Sequence, residues 1–93
     1  ESLPSEFFLH PPYPNPFNPM TTISFDIPPN NIDHVNINVY DLAGRITEQL
    51  IKEKLKTGFH TIQWDASSHS AGIYFLELVS KNKRLVQKLI LLK

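Results

Sequence analysis

All 8 prolines of this 93-residue chain lie at or before Pro29, leaving the remaining 64 residues without one. Proline fixes φ, offers no amide proton and drives the residue before it towards extended backbone. The run His10-Pro-Pro-Tyr-Pro-Asn-Pro-Phe-Asn-Pro19 is therefore read as an extended, rigid lead-in to whatever follows. Residues 1–12 read as a linker from an upstream domain, carrying one short apolar run, Phe7-Phe8-Leu9, suited to an added edge strand. The domain proper is then 13–93.

Downstream, the side chains alternate. Ile23, Phe25 and Ile27 interleave with Ser24 and Asp26, and Val35, Ile37 and Val39 with Asn36, Asn38 and Tyr40. This period of two marks strands with one buried face. Between the second strand and the next segment, Asp41-Leu-Ala-Gly44 reads as a turn. Asp41 can accept bonds from nearby backbone amides, and Gly44 can supply a positive φ. Gly58 opens a strand with His60, Ile62 and Trp64 on one face, and Ile73–Ser80 another with Tyr74, Leu76 and Leu78 on one side. Asn82 and Lys83 suit a hairpin tip, and Leu85–Leu92 the last strand. That strand is apolar on both faces around Leu89-Ile90-Leu91-Leu92, which fits a central, doubly covered strand or a terminus awaiting a partner. The segment Ile46–Lys56 has near-helical apolar spacing and good helix formers. It lacks an N-cap and lies between strands, so an irregular, charged edge strand is expected; such charge discourages pairing with other chains. Short strands with frequent turns predict an all-β, Ig-like antiparallel sandwich of about seven strands. Its expected core is Ile23, Phe25, Val35, Ile37, Val39, Ile62, Trp64, Tyr74, Leu76 and Leu78.

Composition narrows function. The 9 Lys+Arg balance 9 Asp+Glu, so the basic surplus of a dedicated nucleic-acid binder is missing. No apolar run approaches the roughly 20 residues of a membrane helix, so no membrane insertion is expected. No cysteine is present for disulfides or thiolate zinc. His10, His34, His60 and His69 form no metal-binding spacing, and His60 reads as a partly buried strand residue. Ser67-Ser68-His69-Ser70 sets hydroxyls beside an imidazole, but sequence neighbours rarely make a nucleophile and base; a solvated loop is expected. Asp33 and Asp41 leave room for a structural calcium site, though no acidic Gly-containing loop of the known spacing exists. No other cofactor is expected. Lys81, Lys83, Arg84 and Lys88 cluster near the last hairpin and read as a solvated face. Tyr13 and Phe17, held among prolines, suit an aromatic plug on the domain better than a sugar platform. Nothing here builds an active site, and a monomeric non-enzyme is expected.

Five segments in order carry a resemblance. Tyr13-Pro-Asn-Pro-Phe-Asn-Pro19, followed by Met20-Thr-Thr-Ile-Ser-Phe-Asp-Ile-Pro28, strongly resembles the opening of the C-terminal sorting domain of the type IX (Por) secretion system, a family related to the Ig-like domain of flagellar hook-capping proteins. Val39-Tyr-Asp-Leu-Ala-Gly-Arg45 is similar to its turn motif, Gly58–Asp65 to its tryptophan strand, Ala71-Gly-Ile-Tyr-Phe75 to its Gly-x-Tyr strand, and Lys88-Leu-Ile-Leu-Leu-Lys93 to its lysine-ended terminal strand. The resemblance implies a recognition motif of Pro14, Asn15, Pro16, Phe17, Asn18, Pro19, Asp41, Gly44, Arg45, Gly72, Tyr74 and Lys88, Leu89, Ile90, Leu91, Leu92 and Lys93. It departs from the family at Met20, usually small and polar, a mild change expected in a loop, and at His69-Ser70-Ala71, where a missing proline points to a looser loop.

By the same resemblance the domain is non-catalytic. It closes a larger secreted protein of the Bacteroidetes type, whose signal peptide lies at the far end. The implied partners are an outer-membrane translocon, a sortase-like surface peptidase cutting in the linker before Tyr13, and the upstream cargo domain. The implied destination is the cell surface or medium, reached through the periplasm. Strand addition or a groove for the terminal carboxylate would read the last strand. Asp41 and Gly44 are expected to be structural, and Arg45 to be the contact residue of the turn. The alternative is an accessory carbohydrate-binding or Ig-like spacer module using Tyr13 or Phe17.

Overall fold

The alternation in the sequence is realised as seven strands in the computed structural model, which describes residues 3–31 and 33–92. They are β1 (Phe8–Leu9), β2 (Met20–Ile27), β3 (Val35–Tyr40), β4 (Ile46–Glu53), β5 (Gly58–Asp65), β6 (Gly72–Ser80) and β7 (Lys83–Leu91). Among the described residues no helix forms. The strands make two antiparallel sheets, ordered β1-β2-β5 and β4-β3-β6-β7. Because β2 pairs with β5 and β3 with β6, the chain crosses between sheets at β2–β3, β4–β5 and β5–β6. That interleaving is the Ig-like sandwich.

The inner faces hold the expected core. Ile23, Phe25, Val35, Ile37, Val39, Trp64, Tyr74, Leu76 and Leu78 are all buried. Ile62 departs from the expectation: it is only half-buried, packed against the rim of the cluster from the outermost strand of its sheet. Leu9, Phe17, Ile27, Ala66, Leu89 and Leu91 complete the core. Leu9 lies in the segment read as a linker, where Phe8 and Leu9 pair with Asp26 and Phe25 of β2. His60 is half-buried as expected, its ring stacked on Phe25 at 5.3 Å between centroids.

Residues 46–53 form an edge strand, as charge and context suggest, and it is irregular: its pairing with β3 slips between Ile37 and Asn38 and again between Val39 and Tyr40. The slips set Glu48 opposite Val39, whose side chain lies in the core. Three expectations change. The last strand is not central; β7 is the edge of the four-stranded sheet, and its final backbone groups bond to the proline segment rather than to another strand. Met20 lies not in a loop but at the start of β2, opposite Asp65. The 66–71 loop is not loose, because its backbone and side chains are tied at both ends: His69 N donates to Ala66 O (3.0 Å) and Tyr74 Oη donates to Ser70 O (2.6 Å). That second bond is a tyrosine corner, the hydroxyl reaching back to backbone just upstream of its own strand.

Candidate functional site

The residues singled out from the sequence come together as one continuous feature and one separate turn. The continuous feature joins the proline segment to the end of β7. Three of the segment's peptide bonds, Tyr13-Pro14, Asn15-Pro16 and Asn18-Pro19, are cis. The segment first pairs with sheet one through Tyr13 and Thr22, whose amides exchange bonds of 3.1 and 2.9 Å. It then swings to β7. Asn15 Nδ2 donates to Lys88 O (2.8 Å), and Asn15 Oδ1 accepts from Ile90 N (3.0 Å). Phe17 N donates to Ile90 O (2.9 Å), and Leu92 N donates to Phe17 O (2.8 Å). The side-chain amide of Asn15 thus stands in for a strand residue, and Phe17 adds a short parallel pairing with Leu91. Thr21 Oγ1 donates to Pro14 O (2.8 Å) and anchors the bend.

These bonds use the outward backbone groups of β7 from Lys88 O to Leu92 N, so this stretch is an edge already satisfied rather than one open to another chain. Asn15→Ala removes two of the four bonds. The expected cost is about 1–2 kcal/mol, with amide hydrogen exchange at Ile90 and Leu92 accelerating more than at β2; uniform exchange would show that the side chain does not hold the edge.

Under this clasp lies an aromatic pillar. Phe17 is 1% exposed, its ring 5.7 Å from that of Trp64. Trp64 in turn meets Tyr74 edge-on at 6.0 Å and His69 at 5.4 Å. Glu48 Oε1 accepts from Trp64 Nε1 (2.9 Å) and from the His69 ring Nε2 at the same distance. A buried indole N–H needs such an acceptor. His69 is accordingly a packed structural residue, not part of a solvated loop. The plug expected of Tyr13 and Phe17 is divided: Phe17 fills it, whereas Tyr13 is 79% exposed. Phe17 is therefore closed to any sugar, which removes half the basis of the carbohydrate reading.

The separate feature is the β3–β4 turn. Asp41 Oδ1 accepts from the amides of Ala43 (2.9 Å) and Arg45 (3.0 Å), and Gly44 has a φ of +84°. A side chain there would be strained. Asp41 and Gly44 are structural, as the sequence suggests. Arg45 is exposed but engaged: its Nε and a terminal nitrogen both lie 3.0 Å from Asp41 Oδ2. The Arg45 amide holds the Asp41 carboxyl below its ordinary range against the opposing effect of burial, and the guanidinium charge and the Ala43 amide add to the lowering.

Gly72 starts β6 opposite Leu91. Within the terminal motif Leu89 and Leu91 face the core, Lys88, Ile90 and Leu92 face outward, and Lys93 lies outside the described residues. Among the described residues no three His, Asp or Glu side chains converge as metal ligands. Two residues escaped the sequence reading. Glu48 sits in a charged run that hides it. Glu77 alternates with Leu76 and Leu78 and would be expected on a wet face, yet it is 5% exposed.

No curated protein matches the chain. A family model described as the secretion system C-terminal sorting domain matches residues 12–92, taking in the clasp, the pillar, the turn and the last strand but not β1. The chain belongs to the type IX secretion C-terminal sorting domain family.

Proposed function

We propose that this domain is a non-catalytic address label that directs a larger cargo protein, joined ahead of β1, through the type IX system to the cell surface or medium. Membership of the sorting-domain family supports a secretion signal. The observation that carries the reading further is the clasp: the family's opening and closing motifs, 73 to 75 residues apart, bond directly to each other. A label must present one fixed surface, and joining its two ends makes that surface conditional on complete folding. An outer-membrane translocon would read the folded label, and a sortase-like surface peptidase would cut ahead of the clasp.

The test is a fusion of residues 1–93 to an inert periplasmic reporter in a type IX-competent host. The expected outcome is reporter outside the cell, with a Trp64→Ala fusion retained. Retention of the folded wild-type fusion in the periplasm would overturn the reading. Deletion of Leu89–Lys93 is a poor probe of terminal recognition, because Leu89 and Leu91 are core and their loss unfolds the label. Leu92→Ser is the better variant, since that side chain is half exposed and only its amide is used by the clasp.

A further inference from the structure

The outer face of the four-stranded sheet carries a groove of about 670 Å³. Its lining includes Tyr40, Leu42, Phe75, Arg84 and Val86 with two carboxylates, Glu77 and Asp41, the latter paired with Arg45. Strand register explains its make-up. Tyr40, Phe75 and Lys88 form one row across β3, β6 and β7, and Asn38, Glu77 and Val86 form the next. The floor is aromatic and aliphatic, and Leu42 in the β3–β4 turn and Val86 are exposed.

A polar network fixes the groove's charge. Asn38 Nδ2 donates to Glu77 Oε1 (3.2 Å), Gln49 Nε2 donates to Asn38 Oδ1 (3.0 Å), and Arg84 Nε donates to Glu77 Oε2. Glu77 is spent within the fold. Arg84 is not: its Nε is committed, but the side chain is 64% exposed and its terminal amino groups remain for another acceptor. Lys88, exposed on the same face, makes no ion pair among the described residues. Arg84 in the groove's lining and Lys88 just beyond it on the same face therefore offer two cations on one strand, with an exposed valine midway.

Arg84 and Lys88 are four residues apart on an extended strand, about 13 Å along the chain at ~3.3 Å per residue. A helix brings residues at that separation only ~6 Å apart along its axis. The spacing thus matches another extended chain bearing carboxylates four residues apart, and a single small anion cannot span it. We propose that this groove docks an extended acidic segment of a partner protein, patterned acidic-x-apolar-x-acidic. Its central side chain rests on Val86 and Phe75, and its carboxylates meet Arg84 and Lys88. The proposal concerns binding by the isolated chain and stands or falls independently of export.

The probe is the blocked peptide Gly-Glu-Ser-Phe-Ser-Glu-Gly, titrated into the 93-residue protein with amide and methyl shifts followed by NMR. Saturable shifts at Phe75, Arg84, Val86 and Lys88 are expected, weakened at least tenfold by 0.5 M salt or by Arg84→Gln. Because Arg84→Gln also disturbs Glu77, Lys88→Gln and Val86→Ser serve as variants outside that network, each expected to weaken binding about three- to tenfold with the fold intact. Three results would overturn the proposal: no saturable shifts, equal binding of the peptide with Lys in place of Glu, or tighter binding of oligogalacturonate at the same residues, which would make the groove an anionic-sugar site.

Discussion

Replacing Phe17 by alanine is expected to lower the unfolding free energy by about 3–5 kcal/mol, the largest loss of any residue outside the seven strands. The ring is almost fully buried and tilted against Trp64, and nothing nearby is free to fill the space, since Leu91 and Tyr74 are themselves fixed in strands. A domain of this size has on the order of 5–14 kcal/mol of stability in all, so the variant loses about a fifth of it or more. The thermal midpoint should fall by roughly 15 °C or more. Tyr13→Ala is the matched control: an exposed ring four residues earlier, expected to change stability by no more than about 0.5 kcal/mol. Urea denaturation of both variants checks the contrast. A Phe17→Ala loss below about 1 kcal/mol would mean that the proline segment is an appendage rather than part of the core. The same variant, fused to a reporter, should reach the outside of the cell less than wild type at 37 °C, because a larger share of the label is unfolded at any moment.

That contrast also marks where the sequence stops being legible. The strands are readable because their burial is periodic, and the period belongs to consecutive residues. Ile23, Phe25 and Ile27, or Tyr74, Leu76 and Leu78, declare one face without reference to anything distant. The 46–53 edge strand is readable for a different reason: its charges and its place between turns outweigh its helix propensity. Phe17 and Asn15 have no such signal. Prolines on either side erase periodicity, and the atoms that define their roles, Trp64 and the Lys88–Ile90 backbone, lie 47 or more residues away. Glu48 is hidden by the slips in β3–β4 pairing, which change which residue of β4 lies opposite Val39. Only the resemblance to sorting domains places Asn15, Phe17 and the last strand together as a motif. It gives no hint that they touch. Arg45 shows the converse: a long exposed side chain in a turn looks free, but its own neighbour four residues back claims it.

Glu77→Ala is expected to cost about 2–3 kcal/mol, and its conservative variant Glu77→Gln reveals why through pH. Burial by itself pushes the Glu77 carboxyl up; hydrogen bonds from Asn38, Tyr40 and Arg84, with the Arg84 charge, outweigh it and hold the group below its ordinary value of 4.5. The same carboxylate accepts from Tyr40 and raises that phenol. Alanine leaves the buried Asn38 amide without its acceptor, whereas Tyr40 and Arg84 can turn to solvent, which keeps the loss below that of a fully buried pair. The sign follows from linkage. A carboxyl lowered in the folded state contributes stability that is fully present above its unfolded value, near 4.5, and is lost as pH falls through the folded value. Wild type should therefore exceed Glu77→Gln by a constant margin from pH 7 to about pH 5, and the margin should shrink as pH drops further. Asp41 and Asp65 are lowered too, by the amides of Arg45 and Ser67 first, but they are common to both proteins and cancel in the difference. Urea midpoints of the two proteins at several pH values give the margin directly. A margin that persisted undiminished to pH 2 would show that Glu77 acts through shape alone and that its charge is not what holds Arg84 at the groove.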